Sequence, residues 1–182
     1  MKNALRLVYG VEPIMVGPGV KTGINIRCDN PASVGAALIC GCVASHHIYG
    51  SPALVIDMGT ATKMMVMGPG GAFIGASIIP GVNIALKALS GGTAQLPQIS
   101  LEAPKSVIGK NTIDCLRAGV VFGNASMIDA MIDRFNDEMG QDLNVIATGG
   151  LSSTIICHCK HDIILDENLV LKGLKIIYEK NI

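Results

Sequence analysis

The chain has 182 residues, of which 49% are apolar and 15% charged, and its 14 basic and 14 acidic residues give a formal net charge of zero. This composition excludes a disordered chain, and the length suffices for one large core or for one domain and part of another. The absence of Trp and of a basic stripe argues against nucleic-acid binding. No uninterrupted apolar run is long enough to span a membrane, and the N-terminus lacks the apolar core of a signal peptide. We therefore expect a cytoplasmic protein whose six cysteines are free thiols.

The predicted elements of the first fifty residues surround a glycine-rich loop. A helix is predicted over residues 1–9, a short strand over 12–16, the loop over 17–23 and a helix start over 30–33. The following helix is predicted over 34–49. Its predicted buried face has helical spacing and consists of Val34, Leu38, Cys42 and Ala44.

Strands and helices then alternate along the chain, which predicts an α/β sheet. Strands are predicted over residues 53–57, 63–67, 71–79, 144–148 and 163–165, with a turn over 68–70. Helices are predicted over residues 82–89, 112–139, 152–157 and 168–180. Residues 90–104 are predicted to be mostly irregular and allow a short strand near Ile99.

The strand predicted at residues 53–57 ends in an acidic residue, which a Gly-Thr turn follows. Residues 56–62 read Ile-Asp-Met-Gly-Thr-Ala-Thr. Gly59 allows a ligand to approach the backbone closely, Thr60 and Thr62 offer hydroxyls, and the N–H groups of such a turn suit an anion. Asp57 is able to hold a metal ion or to orient a water molecule. An ordinary strand and turn fits the same residues, so the motif alone leaves phosphate binding open.

Four further segments extend this pattern: residues 17–23, 80–83, 106–112 and 147–151. They read Gly-Pro-Gly-Val-Lys-Thr-Gly, Pro-Gly-Val-Asn, Ser-Val-Ile-Gly-Lys-Asn-Thr and Ala-Thr-Gly-Gly-Leu. Together with the Asp57 turn, they resemble the type III pantothenate kinase family in order and spacing over nearly the whole chain. The resemblance implies an actin-like (ribonuclease H-like) fold with a mixed sheet flanked by helices. It also implies phosphorylation of pantothenate with ATP, in coenzyme A biosynthesis.

The resemblance implies roles for individual residues and for cofactors. It assigns nucleotide and phosphate binding to two turns, which contain Gly59, Thr60, Gly149 and Gly150. It places pantothenate binding at Gly35 and Thr112, and a monovalent cation, potassium or ammonium, at Asp57. ATP with magnesium is the implied phosphoryl donor. Lys21 and Thr22 match the family's loop at the domain junction, without an assigned role.

Three features of the family are missing from this sequence. The catalytic base of the family is the Asp of a Gly-Ala-Asp-Arg motif, and Ala37 and Leu38 stand at the Asp and Arg positions here. Neither side chain accepts a proton. Cys28 stands where the family shows an aromatic substrate contact, and no Asp-x-Gly-Asn-Thr phosphate loop occurs. We therefore expect an N-terminally truncated member that has no catalytic residue of its own and is inactive or incomplete as this chain alone.

The resemblance divides the chain into a remnant of a first actin-like domain over residues 1–50 and a second actin-like domain over 51–182. One hypothesis is part of a kinase that an N-terminal partner segment completes. A second is a non-catalytic regulatory protein that binds pantothenate or a nucleotide, and a third is a decayed fragment. The large apolar fraction of a short chain favours a homodimer, as the resemblance also implies. No contact with nucleic acid or with a membrane is expected.

A cluster of soft ligands near the C-terminus has the wrong spacing for zinc. It consists of Cys157, His158, Cys159 and His161. Structural zinc sites use two separated pairs of ligands with roughly two to four residues inside each pair. The spacing therefore predicts that zinc does not bind in stoichiometric amount.

Overall fold

A mixed β-sheet organises the computed structural model, which describes residues 2–93 and 96–182. The six strands within those residues are β1 (Asn25–Ile26), β2 (Ala53–Met58), β3 (Ala61–Gly68), β4 (Ala72–Pro80), β5 (Asn144–Thr148) and β6 (Ile164–Leu165). Their order across the sheet is β1-β4-β3-β2-β5-β6. β3 is antiparallel to β2 and β4, whereas the pairs β1–β4, β2–β5 and β5–β6 are parallel. Three sequential antiparallel strands followed by parallel ones confirm the predicted actin-like class.

Helices cover both faces of the sheet. They are α1 (Lys2–Tyr9), α2 (Ala36–Tyr49), α3 (Val82–Gly91), α4 (Thr112–Met139), α5 (Ser152–Ile156) and α6 (Leu169–Glu179). The side chains of β2 alternate between the two faces. Leu54 and Ile56 join the core beneath α4, while Val55 joins a second core with Cys42 of α2 and Leu169 of α6. A strand covered on both faces has to be apolar throughout, as β2 is up to its acidic residue.

A glycine lets helices α2 and α6 approach each other closely. A Cβ atom on Gly173 would lie 1.9 Å from the carbonyl oxygen of Cys40. A polar network joins the same helices, since Asp166 accepts hydrogen bonds from the Tyr49 hydroxyl at 2.9 Å and from the Lys172 ammonium at 2.7 Å. Burial alone would raise the pKa of Asp166, but the hydrogen bonds from Lys172 and Tyr49 outweigh it and hold the pKa below its ordinary value. The end of α2 is thereby fixed to the start of α6.

Helix α4 is the one helix of residues 2–93 and 96–182 that is long and apolar enough, by length and composition alone, to cross a membrane. Five of its residues are buried in the core beneath the sheet: Ala118, Val121, Ala125, Ile128 and Ile132. Another side chain, Asp129, accepts hydrogen bonds from the backbone N–H groups of Lys160 and His161. The five buried residues of α4 are therefore explained by packing in the core of the protein.

The structure confirms most predicted elements, and two of them to the residue. The predicted helix over 112–139 and strand over 144–148 coincide with α4 and β5. The three predicted antiparallel strands are β2, β3 and β4, and the first helix ends at Tyr9 as expected. Three residues that fall within predicted segments lie outside the described residues, namely Met1, Ala94 and Gln95.

Two predicted strands are wrong. Residues 12–16 are not a strand, and most of them line a groove with the C-terminal half of α6, so packing on a helix replaces sheet pairing. Residues 96–104 contain no strand either. Next to Ile99, the carbonyl oxygen of Ser100 accepts a hydrogen bond from the Arg117 guanidinium instead of from a neighbouring strand.

Two further details differ from the prediction. Strand β1 was not predicted, because two residues are too few to show a period. Helix α2 begins at Ala36 rather than at residue 34, because Pro31–Ser33 form a separate 3-10 turn and Gly35 is the N-cap residue. Val34 therefore packs against the core from outside the helix. The division into two domains after residue 50 stays a prediction.

Candidate functional site

The turn between β2 and β3 exposes one hydroxyl to solvent. β2 ends at Met58 and β3 begins at Ala61, so only Gly59 and Thr60 connect them. The Gly59 N–H donates to the Ala61 carbonyl oxygen at 3.2 Å, and Thr60 is exposed. Thr62 is fully buried, and its hydroxyl has no hydrogen-bond partner among the described residues. Of the two hydroxyls predicted to face a ligand, only that of Thr60 is accessible.

Two other turns pack against this one at glycines. Gly149 follows β5 with φ of +99°, and a Cβ atom there would lie 2.6 Å from the carbonyl carbon and oxygen of Met58. Gly81 precedes α3, and a Cβ atom there would lie 2.1 Å from the carbonyl oxygen of Thr60. A side chain at either position would displace the backbone. The three turns therefore meet backbone to backbone at one edge of the sheet.

The turns border a surface cavity of about 400 Å³. Its walls are Met58, Gly59, Thr60, Asn83, Ile84, Lys87, Gly150 and Leu151. This lining contains one lysine and no acidic side chain, and the first N–H groups of α3 have no partner within the helix. The cavity therefore suits an anion, and its size falls in the range of small-ligand sites.

Asp57 forms an ion pair with Lys63 across the β2–β3 hairpin. The two residues are direct cross-strand partners, and Lys63 Nζ lies 2.5 Å from Asp57 Oδ2. The side chains are only 19% (Lys63) and 14% (Asp57) exposed. A Cβ atom on Gly59 would lie 3.4 Å from Asp57 Oδ1 and 4.0 Å from Lys63 Nζ, so the pair adjoins the Gly59–Thr60 turn. A potassium or ammonium ion at Asp57, as predicted, would have to share a carboxylate that already holds an ammonium group.

Helix α2 directs its first turn toward the same edge of the sheet. A connection of three residues links α2 to β2, so the two neighbouring elements run in opposite directions. A Cβ atom on Gly41 of α2 would lie 3.8 Å from Val55 Cγ1 of β2. Ala37 lies one helical turn before Gly41, and Asp57 lies two residues beyond Val55. The predicted position of the catalytic base is therefore at the edge that carries the ion pair, but it presents only a methyl group.

The two residues predicted to bind pantothenate lie at helix starts. Gly35 is the N-cap residue of α2, and Thr112 is the exposed first residue of α4. The helix start at Thr112 is capped by the side chain of Asn111, which accepts a hydrogen bond from the Asp114 N–H at 2.9 Å. Three of the four predicted nucleotide-binding residues, Gly59, Thr60 and Gly150, line one cavity. Gly149, Gly35 and Thr112 do not line it.

Sequence reasoning missed three side chains of this region, Lys63, Asn83 and Lys87. Lys63 depends on the register of the hairpin: Met58 pairs with Thr62 across residues 59–61, which makes Lys63 the cross-strand partner of Asp57, whereas a two-residue turn would pair Asp57 with Thr62. Asn83 and Lys87 lie one turn apart on the predicted helix α3. Their position depends on the contact between Gly81 and the Gly59–Thr60 turn, which no local pattern reveals.

The loop over residues 17–23 lies away from this cavity. Its backbone is tied to the end of the chain, because the Asn181 side chain accepts a hydrogen bond from the Lys21 N–H at 3.1 Å and donates one to the Lys21 carbonyl oxygen at 2.9 Å. Thr22 lines a separate, largely apolar cavity of about 310 Å³ together with Ile26 and Ile39. These contacts hold the loop in place.

The cysteine and histidine side chains near the C-terminus each have structural contacts. Within residues 2–93 and 96–182, no group of three or more His, Cys, Asp or Glu side chains is placed to hold a metal ion. Cys159 donates to the Ala125 carbonyl oxygen at 3.7 Å, and burial raises the pKa of its thiol to about 12. His158 packs edge-on against Phe122, with 5.3 Å between ring centres. All six cysteines are free thiols.

The fold and the cavity define an actin-like α/β protein with an anion-suited pocket at the edge where β2 ends. A sequence model described as type III pantothenate kinase matches residues 1–134. A type III pantothenate kinase from Acidobacterium capsulatum is 40% identical over 92% of this chain and 62% of its own length. One from Frankia casuarinae is 41% identical over 100% of this chain and 72% of its own length. The chain belongs to the type III pantothenate kinase family.

A comparison of solved structures agrees on the fold. A crystal structure from Campylobacter jejuni, described as a Baf family transcriptional activator, matches with a TM-score of 0.59 and 23% identity. The match covers 88% of this chain and 70% of that one. At this identity the likeness shows the fold alone. The chain spans 62% of the length of one matched kinase and 72% of the other.

Replacement of Gly149 by alanine should destabilise the protein. Gly149→Ala places a Cβ atom against the Met58 backbone at φ of +99°, and we expect it to lower the free energy of unfolding by about 2 kcal/mol or more. Gly150→Ala is the matched control, because nothing lies within 4 Å of a Cβ atom there. Urea unfolding followed by circular dichroism measures both. Equal stability of the two variants would contradict the packing described.

Proposed function

We propose that the chain binds the phosphates of ATP, with magnesium, at the Gly59–Thr60 turn, as part of an enzyme that phosphorylates pantothenate in coenzyme A biosynthesis. One observation carries this proposal. The cavity beside the turn combines Thr60, the backbone of two glycine turns and Lys87, without an acidic side chain, in a chain of the type III pantothenate kinase family. ATP and a divalent metal are the cofactors that a kinase of this fold uses.

The residues around the cavity make different contributions to phosphate binding. Lys87 supplies a positive charge, Thr60 supplies a hydroxyl, and Gly59 and Gly150 let the phosphate approach the backbone. Gly149 keeps the second turn packed against the first. When bound, ATP supplies the phosphoryl group. Catalysis of phosphoryl transfer consists mainly of positioning the reactants and stabilising charge. The side chains and backbone groups of these residues would contribute to both.

Pantothenate is proposed to bind near Gly35 and Thr112, on the strength of the family motifs. The weak point of the site is Ala37, at the position where the family has its catalytic base. A general base contributes on the order of a hundred- to ten-thousand-fold to a rate, and a methyl group contributes none of it. Slow turnover by this chain is therefore part of the proposal. Ligand binding without turnover would correspond to a non-catalytic homologue, which family membership alone does not favour.

Two further elements belong to the proposed active site. One is a segment with an Asp-x-Gly-Asn-Thr phosphate loop, which would contribute from another chain or from elsewhere in the polypeptide. The other is a positive charge at Asp57, next to the bound phosphates. The family motif predicts a potassium or ammonium ion for that charge, whereas Lys63 already provides one.

We also propose a cytoplasmic homodimer. Large apolar side chains that support this proposal are exposed on α1 and β4, including Leu7 and Ile78, which are 86% and 70% exposed. Within the part of the chain that the structure describes, β1 pairs only with Ala72 and Phe73 of β4, and no strand pairs with the rest of that edge. A second copy covering such surface would remove it from water.

Nucleotide binding is the direct test of the proposed site. With magnesium present, a fluorescent ADP analogue should bind saturably, and Lys87→Ala should weaken binding about tenfold, which corresponds to about 1.4 kcal/mol. Lys175→Ala on α6, where the side chain is 76% exposed, is the matched control and should leave the affinity unchanged. Absence of saturable binding at millimolar nucleotide would overturn the proposal.

The turnover of the chain should be low. In an ADP-release assay with pantothenate and magnesium ATP, we expect a rate at least about a hundredfold below the usual 1–100 s⁻¹ of kinases, because Ala37 accepts no proton. Ala37→Asp alone should not restore activity. Ala37→Asp with Leu38→Arg and an added Asp-x-Gly-Asn-Thr segment should raise it. A rate of about one per second from the unchanged chain would show that another group acts as the base.

The oligomeric state should be dimeric. Sedimentation equilibrium at micromolar concentration is expected to give about twice the chain mass of 18.9 kDa. Ile78→Lys should shift the equilibrium toward monomer if the open edge of β4 takes part. A monomer mass for the unchanged chain would refute the proposed dimer.

A further inference from the structure

The Asp57–Lys63 pair places a fixed cation beside the proposed phosphate site. The two residues are opposite each other on β2 and β3, and the Gly59–Thr60 turn is the only chain between those strands. Met58 pairs with Thr62, so residues 59–61 separate the paired positions, and this register holds Lys63 opposite Asp57. The ammonium group lies 2.5 Å from the carboxylate and 4.0 Å from a Cβ position on Gly59.

We propose that the Lys63 ammonium group is a built-in replacement for a monovalent cation at Asp57, so that this chain binds nucleotide without potassium or ammonium ions. The inference rests on the proposed function, because the Lys63 ammonium group can support nucleotide binding only if phosphate binds beside it. A lysine side chain ends in the chemical group that an ammonium ion would provide. Because the ammonium group of Lys63 is covalently attached to the chain, it is present at the site whatever the ion concentration in solution.

A free ion and Lys63 compete for the same carboxylate. Lys63 Nζ contacts Oδ2, and both side chains are largely buried, so little space is left for a second cation and its oxygen ligands. A second cation at the Asp57 carboxylate would also be close to the Lys63 ammonium group, and the two positive charges would repel each other in a site shielded from water. A Cβ atom built on Gly59 would lie 3.4 Å from Oδ1, so the remaining carboxylate oxygen lies next to the Gly59–Thr60 turn.

The alternative is an ion pair that stabilises the hairpin and has no part in binding. Both explanations predict that loss of Lys63 lowers stability. They differ in what potassium does afterwards. If the ammonium replaces an ion, removal of the side chain opens a cation site beside Asp57. If the pair is structural only, added potassium has no specific effect on a variant.

Two variants separate these explanations. Lys63→Ala removes the charge and opens space, whereas Lys63→Met removes the charge and fills most of the space. Affinity for a fluorescent ADP analogue with magnesium, and the melting temperature without nucleotide, are measured in potassium chloride and in tetramethylammonium chloride at equal ionic strength. Tetramethylammonium has the same charge as potassium, but its methyl groups keep carboxylate and carbonyl oxygens from contacting the cationic centre. Lys175→Ala, remote on α6, is the control for loss of a lysine.

The unchanged chain and Lys175→Ala should show the same affinity, within about twofold, and the same melting temperature in both salts. Lys63→Ala should lose at least about tenfold in affinity in tetramethylammonium and regain it in potassium, with a saturable rise in melting temperature. Lys63→Met should lose affinity in both salts. Potassium dependence of the unchanged chain, or no potassium effect on Lys63→Ala, would overturn the inference.

The melting temperature keeps the two proposals distinguishable. If no nucleotide binds in any salt, the proposed function fails. The cation question is then decided by the nucleotide-free melts: a potassium-specific rise confined to Lys63→Ala supports a replaced cation. No such rise leaves the pair as a structural contact and refutes the inference.

Discussion

The burial of β2 on both faces is the constraint on which the rest of the structure depends. Its apolar side chains require α4 on one face and α2 with α6 on the other. β5 is parallel to β2, so the residues that follow both strands emerge at the same edge of the sheet. Antiparallel β3 begins at that edge and returns Lys63 to Asp57. The location of the site thus follows from strand direction, and its chemistry follows from a small number of side chains.

Sequence patterns predicted the elements that have a long periodic pattern or a continuous run of buried apolar residues. The helix Thr112–Met139 and the strand Asn144–Thr148 have a sustained pattern or a continuous apolar run, and both were predicted to the residue. The strand predicted over 12–16 failed because strand formation needs a partner, and those residues pack on α6 instead. Strand β1 has only two residues and exists through its pairing with β4. Local sequence carries no information about such a partner.

The candidate site shows the same limit. Motifs predicted Gly59, Thr60 and Gly150 in one place, and the structure puts them around one cavity. The motif identified Asp57 as an anionic group but gave no indication of what neutralises it. That depends on the cross-strand register, which assigns Lys63. Lys87 reaches the cavity because Gly81, just before α3, packs on the Gly59–Thr60 turn. Local sequence patterns do not encode such a contact between segments.

The contact between Gly173 and the Cys40 carbonyl has a consequence for biosynthesis. Cys40 of α2 and Gly173 of α6 are far apart in the sequence, so the surface of α2 that faces α6 stays uncovered until α6 has been synthesised. Contacts between such distant parts of a sequence form slowly, and the waiting apolar surface is prone to aggregation. Ile39 and Val43, which cluster with Ile177 of α6 in the folded protein, lack that partner until then. Loss of even the last helix would leave that surface permanently open.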